Sequence, residues 1–324
     1  MPNIATHGLL AQDVLDNAPF TRLARLIERY PKAYFLGSNG PDILFYYHSL
    51  PWQSKAGADR FNVMGNLVHS QKIDEFYRKA IEIIQATPQG ETRQLMTVYL
   101  AGHLTHWSLD TVAHPYIFYK TGAIQGATKY WHFRLESMID TLMVKQTKGY
   151  LLSKFDMPSL VKVDETTKEA IAKLYRPILS EVFDQDASEE ELKECVTSIH
   201  TLATYLYDPY TIKFPLVQLG ESLLGMKWKF SGHIVAGKMD LKRDVLNLNH
   251  ATWKHPCDGT KVSDESFIDL YHSAIRRATG VLCALNDVLF KDNIVDQLIG
   301  LLEDRTYDTG LKNPPEMKHY DPIY

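Results

Sequence analysis

Apolar residues recur along most of the chain at steps of three and four, the period of a helix with one buried face. Leu9, Leu10, Val14 and Leu15 share such a face after Thr6-His7, and Leu23, Leu26 and Ile27 repeat it. The segment from Ala33 to Ile43 breaks the pattern. Gly37, Gly40 and Pro41 mark a turn there, and Asp42 with Ile43 opens a short helix. Residues 48–60 read as loop. Leu67, Ile73, Phe76, Tyr77, Ile81 and Ile84 predict one long helix over 62–86, ended by Pro88-Gln89-Gly90. A second is predicted over 91–114 and stopped by Pro115, because a proline disfavours helix in the residue before it. A third is predicted over 127–146, and others over 165–186, 188–206, 211–225, 264–290 and 293–303. Residues 226–262 are the least helical part, with a short hairpin expected at Trp228–Val235. The last twenty residues, with Asp308-Thr309-Gly310 and Pro314-Pro315, read as an extended tail.

This pattern makes the chain all-α, and its composition agrees with a globular protein. Of 324 residues, 45% are hydrophobic and 23% charged, which excludes disordered and collagen-like classes. The net charge of −4 disfavours a duplex nucleic acid partner, which needs a cationic surface. Cys195, Cys257 and Cys283 are far apart and odd in number, so neither a disulfide framework nor a thiolate zinc site is expected. The start, Met1-Pro2-Asn3-Ile4-Ala5, lacks the parts of a signal peptide, which points to a cytoplasmic protein. No run of about 18 apolar residues predicts a transmembrane helix. Gly-rich nucleotide loops and a GxSxG elbow are absent.

The histidines change the picture. Four of the 13 lie between positions 103 and 132. With His106 taken as zero, helical geometry places Asp110 at about 40°, His103 at about 60° and His114 at about 80°. These four form a polar stripe on a helix whose other faces are apolar. On the next helix His132 and Glu136 stand four apart, so both reach one ion. Imidazole with carboxylate is the ligand set of zinc and also serves iron or manganese. A single histidine at helical spacing is more often a packed residue than a ligand. Two H-x3-[DE] pairs on neighbouring helices are harder to explain that way, since burying so many polar groups without partners costs several kcal/mol.

The order of these residues resembles the zinc-dependent phospholipase C family, whose fold and metal scheme the single-strand-specific nucleases share. His106-x3-Asp110, then His114, then His132-x3-Glu136 carry the resemblance. Thr6-His7, Gly40-Pro41-Asp42-Ile43 and the lone His69 agree with it upstream, so it covers roughly residues 1–145. It implies a multi-helix fold with a metal-site half over about 1–145; by helical character alone the chain continues as a single domain over 1–324, with a helical half over about 146–303 and the tail over 304–324. It also implies one zinc on His69, His106 and Asp110, and a second on His114, His132 and Glu136. A third would sit on His7 with Asp110 as bridge. Asp42 would be a ligand or the base that activates water. Two or three zinc ions and phosphodiester hydrolysis follow, with a phospholipid headgroup as a candidate substrate. Competing readings are a single-strand nuclease-like phosphodiesterase and a metal-stabilised binding protein without turnover.

Other residues fall outside that set. His103 is expected to line the pocket behind the ligands, and Asp140 to accept a hydrogen bond near them or face solvent. His48, His200, His272 and His319 have no partner at ligand spacing. Residues 249–256, with His250, Trp253 and His255, read as a lid or as a surface loop anchored by the Trp. Tyr34, Phe35, Phe45, Tyr46, Tyr47 and Trp52 surround Asp42 in sequence and read mostly as core, with some as lining of a substrate pocket.

Overall fold

A computed structural model describes residues 4–50, 52–126, 128–238, 243–291 and 293–322. Met1-Pro2-Asn3, read above as the chain's start, and Ala127, the expected first residue of the third helix, lie outside these. The fold is all-α, with two two-stranded sheets among the described residues. The helices, in order, are α1 (Ile4–Asp16), α2 (Thr21–Arg29), α3 (Pro31–Gly37), α4 (Lys55–Ser70), α5 (Ile73–Ala86), α6 (Glu91–Thr121) and α7 (Thr128–Lys148). They continue as α8 (Glu165–Phe183), α9 (Glu189–Leu206), α10 (Lys213–Leu223), α11 (Phe267–Phe290) and α12 (Asp296–Leu302). A 3-10 turn, Gly40–Tyr46, carries Asp42 between α3 and α4.

Two expectations are corrected here. The helix expected over 62–86 is two helices. Lys72 takes a left-handed conformation between them (φ 52°), with its ammonium on the Val182 carbonyl. Helix α5 restarts with Asp74 and Glu75 in its first turn, where carboxylates oppose the helix dipole. His69 therefore stands in the last turn of α4 rather than inside a long helix. Helix α6 does not stop at Pro115 either. It runs through the proline to Thr121, supported on every side by the core. The proline only removes the N–H that the Thr111 carbonyl would accept. Gly310 packs on that carbonyl: a Cβ there would come within 2.1 Å of it, and Gly310 holds φ at 62°.

The hairpin also moves. Val235–Ala236 (β2) pairs in parallel with Tyr207–Asp208 (β1), while Trp253–His255 (β3) and Asp258–Ser263 (β4) form the antiparallel pair. Trp253 packs on Tyr116 and donates to the Glu265 carbonyl, so residues 253–255 are anchored to the body and are no lid. Helix α6 runs through the centre, packed by α3, α8, α7 and α11. Leu9, Leu10, Tyr34, Leu100, Leu104, Ile139, Tyr175 and Leu282 belong to one hydrophobic core with its buried faces. No helix among the described residues is long and apolar enough to cross a membrane.

Candidate metal centre

Helix α1 enters the core with its N-terminus against α7. Asp140 of α7 accepts hydrogen bonds from the Ala5 and Thr6 amides (3.0 and 2.9 Å) and the Thr6 hydroxyl (2.6 Å). It thus satisfies the orphan donors of that helix end, as an N-cap residue does. Burial, only partly offset by these bonds from Thr6 and Ala5, pushes its carboxyl up to about 6. The result fixes His7, one residue further on, against α6. The His7 ring stacks on His106 with centroids 4.2 Å apart, and its Nε2 lies 3.3 Å from an Asp110 oxygen.

The 3-10 turn brings Asp42 to the other side of His106. Gly40 permits this, since a Cβ would meet the His106 ring at 2.5 Å. Asp42 Oδ1 is 3.0 Å from His69 Nε2 and 3.6 Å from His106 Nε2. Asp110 Oδ2 stands 3.0 Å from His106 Nε2. Further along α6, His114 Nε2 is 3.7 Å from Glu136 Oε1, and His132 Nε2 is 3.0 Å from the same oxygen. All eight side chains are buried.

Three groups of donor atoms result, each within 4.8 Å of one another: Asp42, His69 and His106; His7, His106 and Asp110; and His114, His132 and Glu136. All eight residues singled out in the sequence are therefore brought together. The partition differs from the expected one. His69 meets Asp42 and His106 rather than Asp110, because the 3-10 turn inserts Asp42 between them. His106 becomes the shared member, and Asp110 turns toward α1.

The ring orientations are fixed from behind. His69 Nδ1 donates to the Gly65 carbonyl (2.7 Å), His106 Nδ1 to that of Ser38 (3.2 Å), and His114 Nδ1 to that of Tyr307 (3.1 Å). The Thr121 hydroxyl, which donates to Ile117, lies 3.4 Å from His132 Nδ1. For His106 and His114 the Nε2 then carries the lone pair and faces a carboxylate, while His69 Nε2 is hydrogen-bonded to Asp42 (3.0 Å). Two sets of lone pairs face each other unless a cation lies between. The bonding is consistent with this: His106 Nε2, His114 Nε2, both His7 nitrogens and both Asp110 oxygens make no hydrogen bond. Buried polar atoms left so cost about 1–3 kcal/mol each.

The electrostatics favour the neutral form of His7, His114 and His132. Burial lowers His7 to about 4, aided by its neighbour His106, and lowers His114 to about 3. Burial also carries His132 well below its ordinary value. For Asp110 burial acts upward, but His106, His114 and His7 outweigh it and hold the carboxyl well below its usual range. For His69 burial acts downward and the hydrogen bond with Asp42 prevails, so its pKa is raised.

His103, inside the same stripe, joins none of the groups. Its Nδ1 lies 2.8 Å from the Tyr77 hydroxyl and its Nε2 3.1 Å from that of Tyr175, and the ring stacks on Phe76. Asp140 is the helix cap already described. Trp52 is exposed rather than pocket-lining, and the Tyr34 hydroxyl is bonded to Ala11 inside the core.

Sequence reasoning missed the contribution of residues 305–310. Instead of an extended tail they form a strap across α6. The Trp107 indole donates to the Arg305 carbonyl (3.0 Å), the Tyr307 amide to the His69 carbonyl (3.0 Å), and His255 Nε2 to the Thr309 carbonyl (3.0 Å). Tyr307 accepts from His114 through its own carbonyl. Asp308 lies 3.8 Å from His114 Nδ1, with its side chain 41% exposed. The Asp308-Thr309-Gly310 turn was the visible signal. The mate of that turn, Thr111 ahead of Pro115, is about 200 positions away, so no local pattern joins them.

Fold and site together define a helical protein with a buried histidine–carboxylate cluster whose donors form three groups, each able to hold a metal ion. A family model described as zinc dependent phospholipase C matches residues 6–201, and the chain belongs to that family. The match runs past residue 145, where the sequence resemblance ended, and takes in α8 and most of α9. Comparison with curated proteins and with solved structures returned no match.

Proposed function

We propose that this chain hydrolyses phosphodiesters with zinc held by the three donor groups, and that phospholipids supply the substrate class. The observation that carries the reading is the pair of Nε2 lone pairs on His106 and His114 fixed toward carboxylates in a buried cluster, beside two unbonded Asp110 oxygens. His69 and Asp42, with the shared His106, would hold one ion. His7 and Asp110, with the same His106, would hold a second. His114, His132 and Glu136 would hold another. When bound, zinc supplies positive charge that acidifies water and offsets the charge growing on phosphoryl oxygens.

The chain's own residues do the rest. Asp42 sits on a short turn rather than inside a helix, and acts as the base that takes the proton from the attacking water. The water oxygen bonds to phosphorus as the bond to the leaving oxygen breaks. Asp110, buried among three imidazoles, stays ionised and holds His7 and His106 in place. Asp308, partly exposed beside His114, marks the side from which substrate arrives.

Elemental analysis of the purified, dialysed protein tests this. Two or three zinc ions per chain are expected, with hydrolysis of a chromogenic phosphodiester lost on chelation and restored by zinc. A chain that takes up no metal after incubation with zinc overturns the reading.

A further inference from the structure

Helix α10 departs from the rule that a helix turns its apolar residues to the core. Among its described residues only one, Glu221, is buried, and that one is polar. Ile212, Leu216, Leu219 and Leu223 follow at steps of four, three and four. They lie on one stripe, exposed by 63%, 67%, 62% and 81%. Tyr205, Tyr210, Leu224 and Phe230 are exposed beside it in sequence. A large apolar surface left in water marks a contact with something else.

The charge around the stripe says what that is. Between residues 207 and 238 the acidic residues are Asp208 and Glu221. Both are buried and spent on backbone amides. Asp208 accepts from Ile212 (2.9 Å) and Phe214 (2.8 Å), and Glu221 from Phe230 and from Ser231 (2.8 Å). The exposed charges are Lys213, Lys227, Lys229 and Lys238, all positive in a chain whose net charge is −4. Lys227 lies over the Trp228 ring and Lys229 over that of Phe230. An apolar stripe flanked by lysines and aromatic rings is the pattern of a helix lying in the headgroup layer of a membrane.

We infer that α10 and its flanks, residues 205–230, are a docking surface for an anionic lipid bilayer. The helix is too short and too exposed on one stripe to span, so it rests in the interface. It is also joined to the candidate metal centre. The Arg134 guanidinium of α7 lies over the Phe214 ring (4.3 Å), two residues from both His132 and Glu136. The Ser137 hydroxyl donates to the Gly232 carbonyl (2.8 Å). A bilayer seated on α10 is thereby fixed in orientation relative to α7. The inference goes beyond the catalytic reading and stands without it, since binding is measured in the absence of turnover.

The experiment is co-sedimentation of the full, zinc-incubated chain with vesicles of equimolar phosphatidylcholine and phosphatidylglycerol. Wild type is expected to pellet with them, less so at high salt. Leu216→Ser/Leu219→Ser/Leu223→Ser should weaken binding by about tenfold or more. Its circular dichroism and metal content should match wild type. If that variant fails to fold, Lys227→Glu/Lys229→Glu serves instead: it should lose binding to anionic vesicles selectively. Wild type that stays in the supernatant, or folded variants that pellet as it does, overturns the inference. So does sedimentation velocity showing a dimer that the leucine variant abolishes while vesicles go unbound, since the stripe would then be covered by a second copy.

Discussion

Two buried histidines lie one helical turn apart on α6 and have opposite surroundings. His103 faces a cage of phenols in which Tyr77, Tyr175, Tyr99 and Tyr307 share hydrogen bonds with it, with one another and with the Gly40 carbonyl. Both its nitrogens are bonded, and burial keeps it neutral, far below its ordinary pKa. His106 has one nitrogen bonded to Ser38, and the other faces Asp42 and Asp110 with no hydrogen bond. The same residue type at the same depth is closed in one case and open in the other. The first is a core group whose needs the protein meets. The second is a donor left for a partner that the protein does not itself supply. Burial of a polar residue therefore says little until its bonds are counted atom by atom.

Breaking the open side should have the largest effect. Asp42→Asn removes the proposed base and nearly conserves shape. Turnover should fall by about a hundredfold or more, the scale of a lost general base. Most metal should remain, and paired rate and elemental measurements check both. Full activity in that variant removes Asp42 from the chemistry. Asp110→Ala comes next. It takes the carboxylate from between three imidazoles, so metal content and melting temperature of the zinc-loaded protein should fall together. Unchanged stoichiometry would show that Asp110 holds no ion.

The closed side should respond differently. His103→Phe leaves phenol hydroxyls short of a partner and should cost about 1–3 kcal/mol in denaturant unfolding, with metal content unchanged. Loss of metal in that variant would erase the distinction between the two histidines. The cluster also implies a pH dependence of the metal-free protein. His7 and His114 titrate near 4 and 3 when folded but near 6.5 when unfolded. Below pH 6.5 the unfolded chain binds protons that the folded one refuses. Stability is therefore full above pH 6.5 and declines as the pH falls through that value toward 4 and then 3. Melting at pH 7.5 and 5 reads it, and a flat profile would mean the two imidazoles are not held neutral.

Much of this was legible in the chain because helices write their faces locally. The 3.6-residue period located most helix bodies and put His106, Asp110 and His114 in one arc, and His132 and Glu136 in another. What the period cannot tell is which members of an arc are already satisfied. His103 fell in the ligand arc because its partners, Tyr77 and Tyr175, come from other helices. For the same reason the period left Asp140 open between a hydrogen-bond acceptor and a solvent-facing carboxylate, since its partner is the end of α1. Pro115 misled because a local rule about helix ends was overridden by the packing around α6. The division of donors between groups needed the 3-10 turn at Gly40, whose placement of Asp42 is tertiary. Residues 305–310 were the least legible part: they carry no apolar repeat, and their bonds go to groups far away in sequence, the Trp107 indole, His114, His255 and the His69 carbonyl.

That strap gives the centre an order of assembly. Every proposed donor lies within the first 136 residues, yet His114 is aimed by a carbonyl at position 307. During synthesis the helices that bear the donors emerge first and begin to fold together. The bond that turns His114 Nε2 toward Glu136 is added only once Tyr307, far beyond the last donor in sequence, has been made. A nascent chain thus exposes imidazoles before it can fix all of them, and full readiness for metal waits for the segment that carries Tyr307 to leave the ribosome.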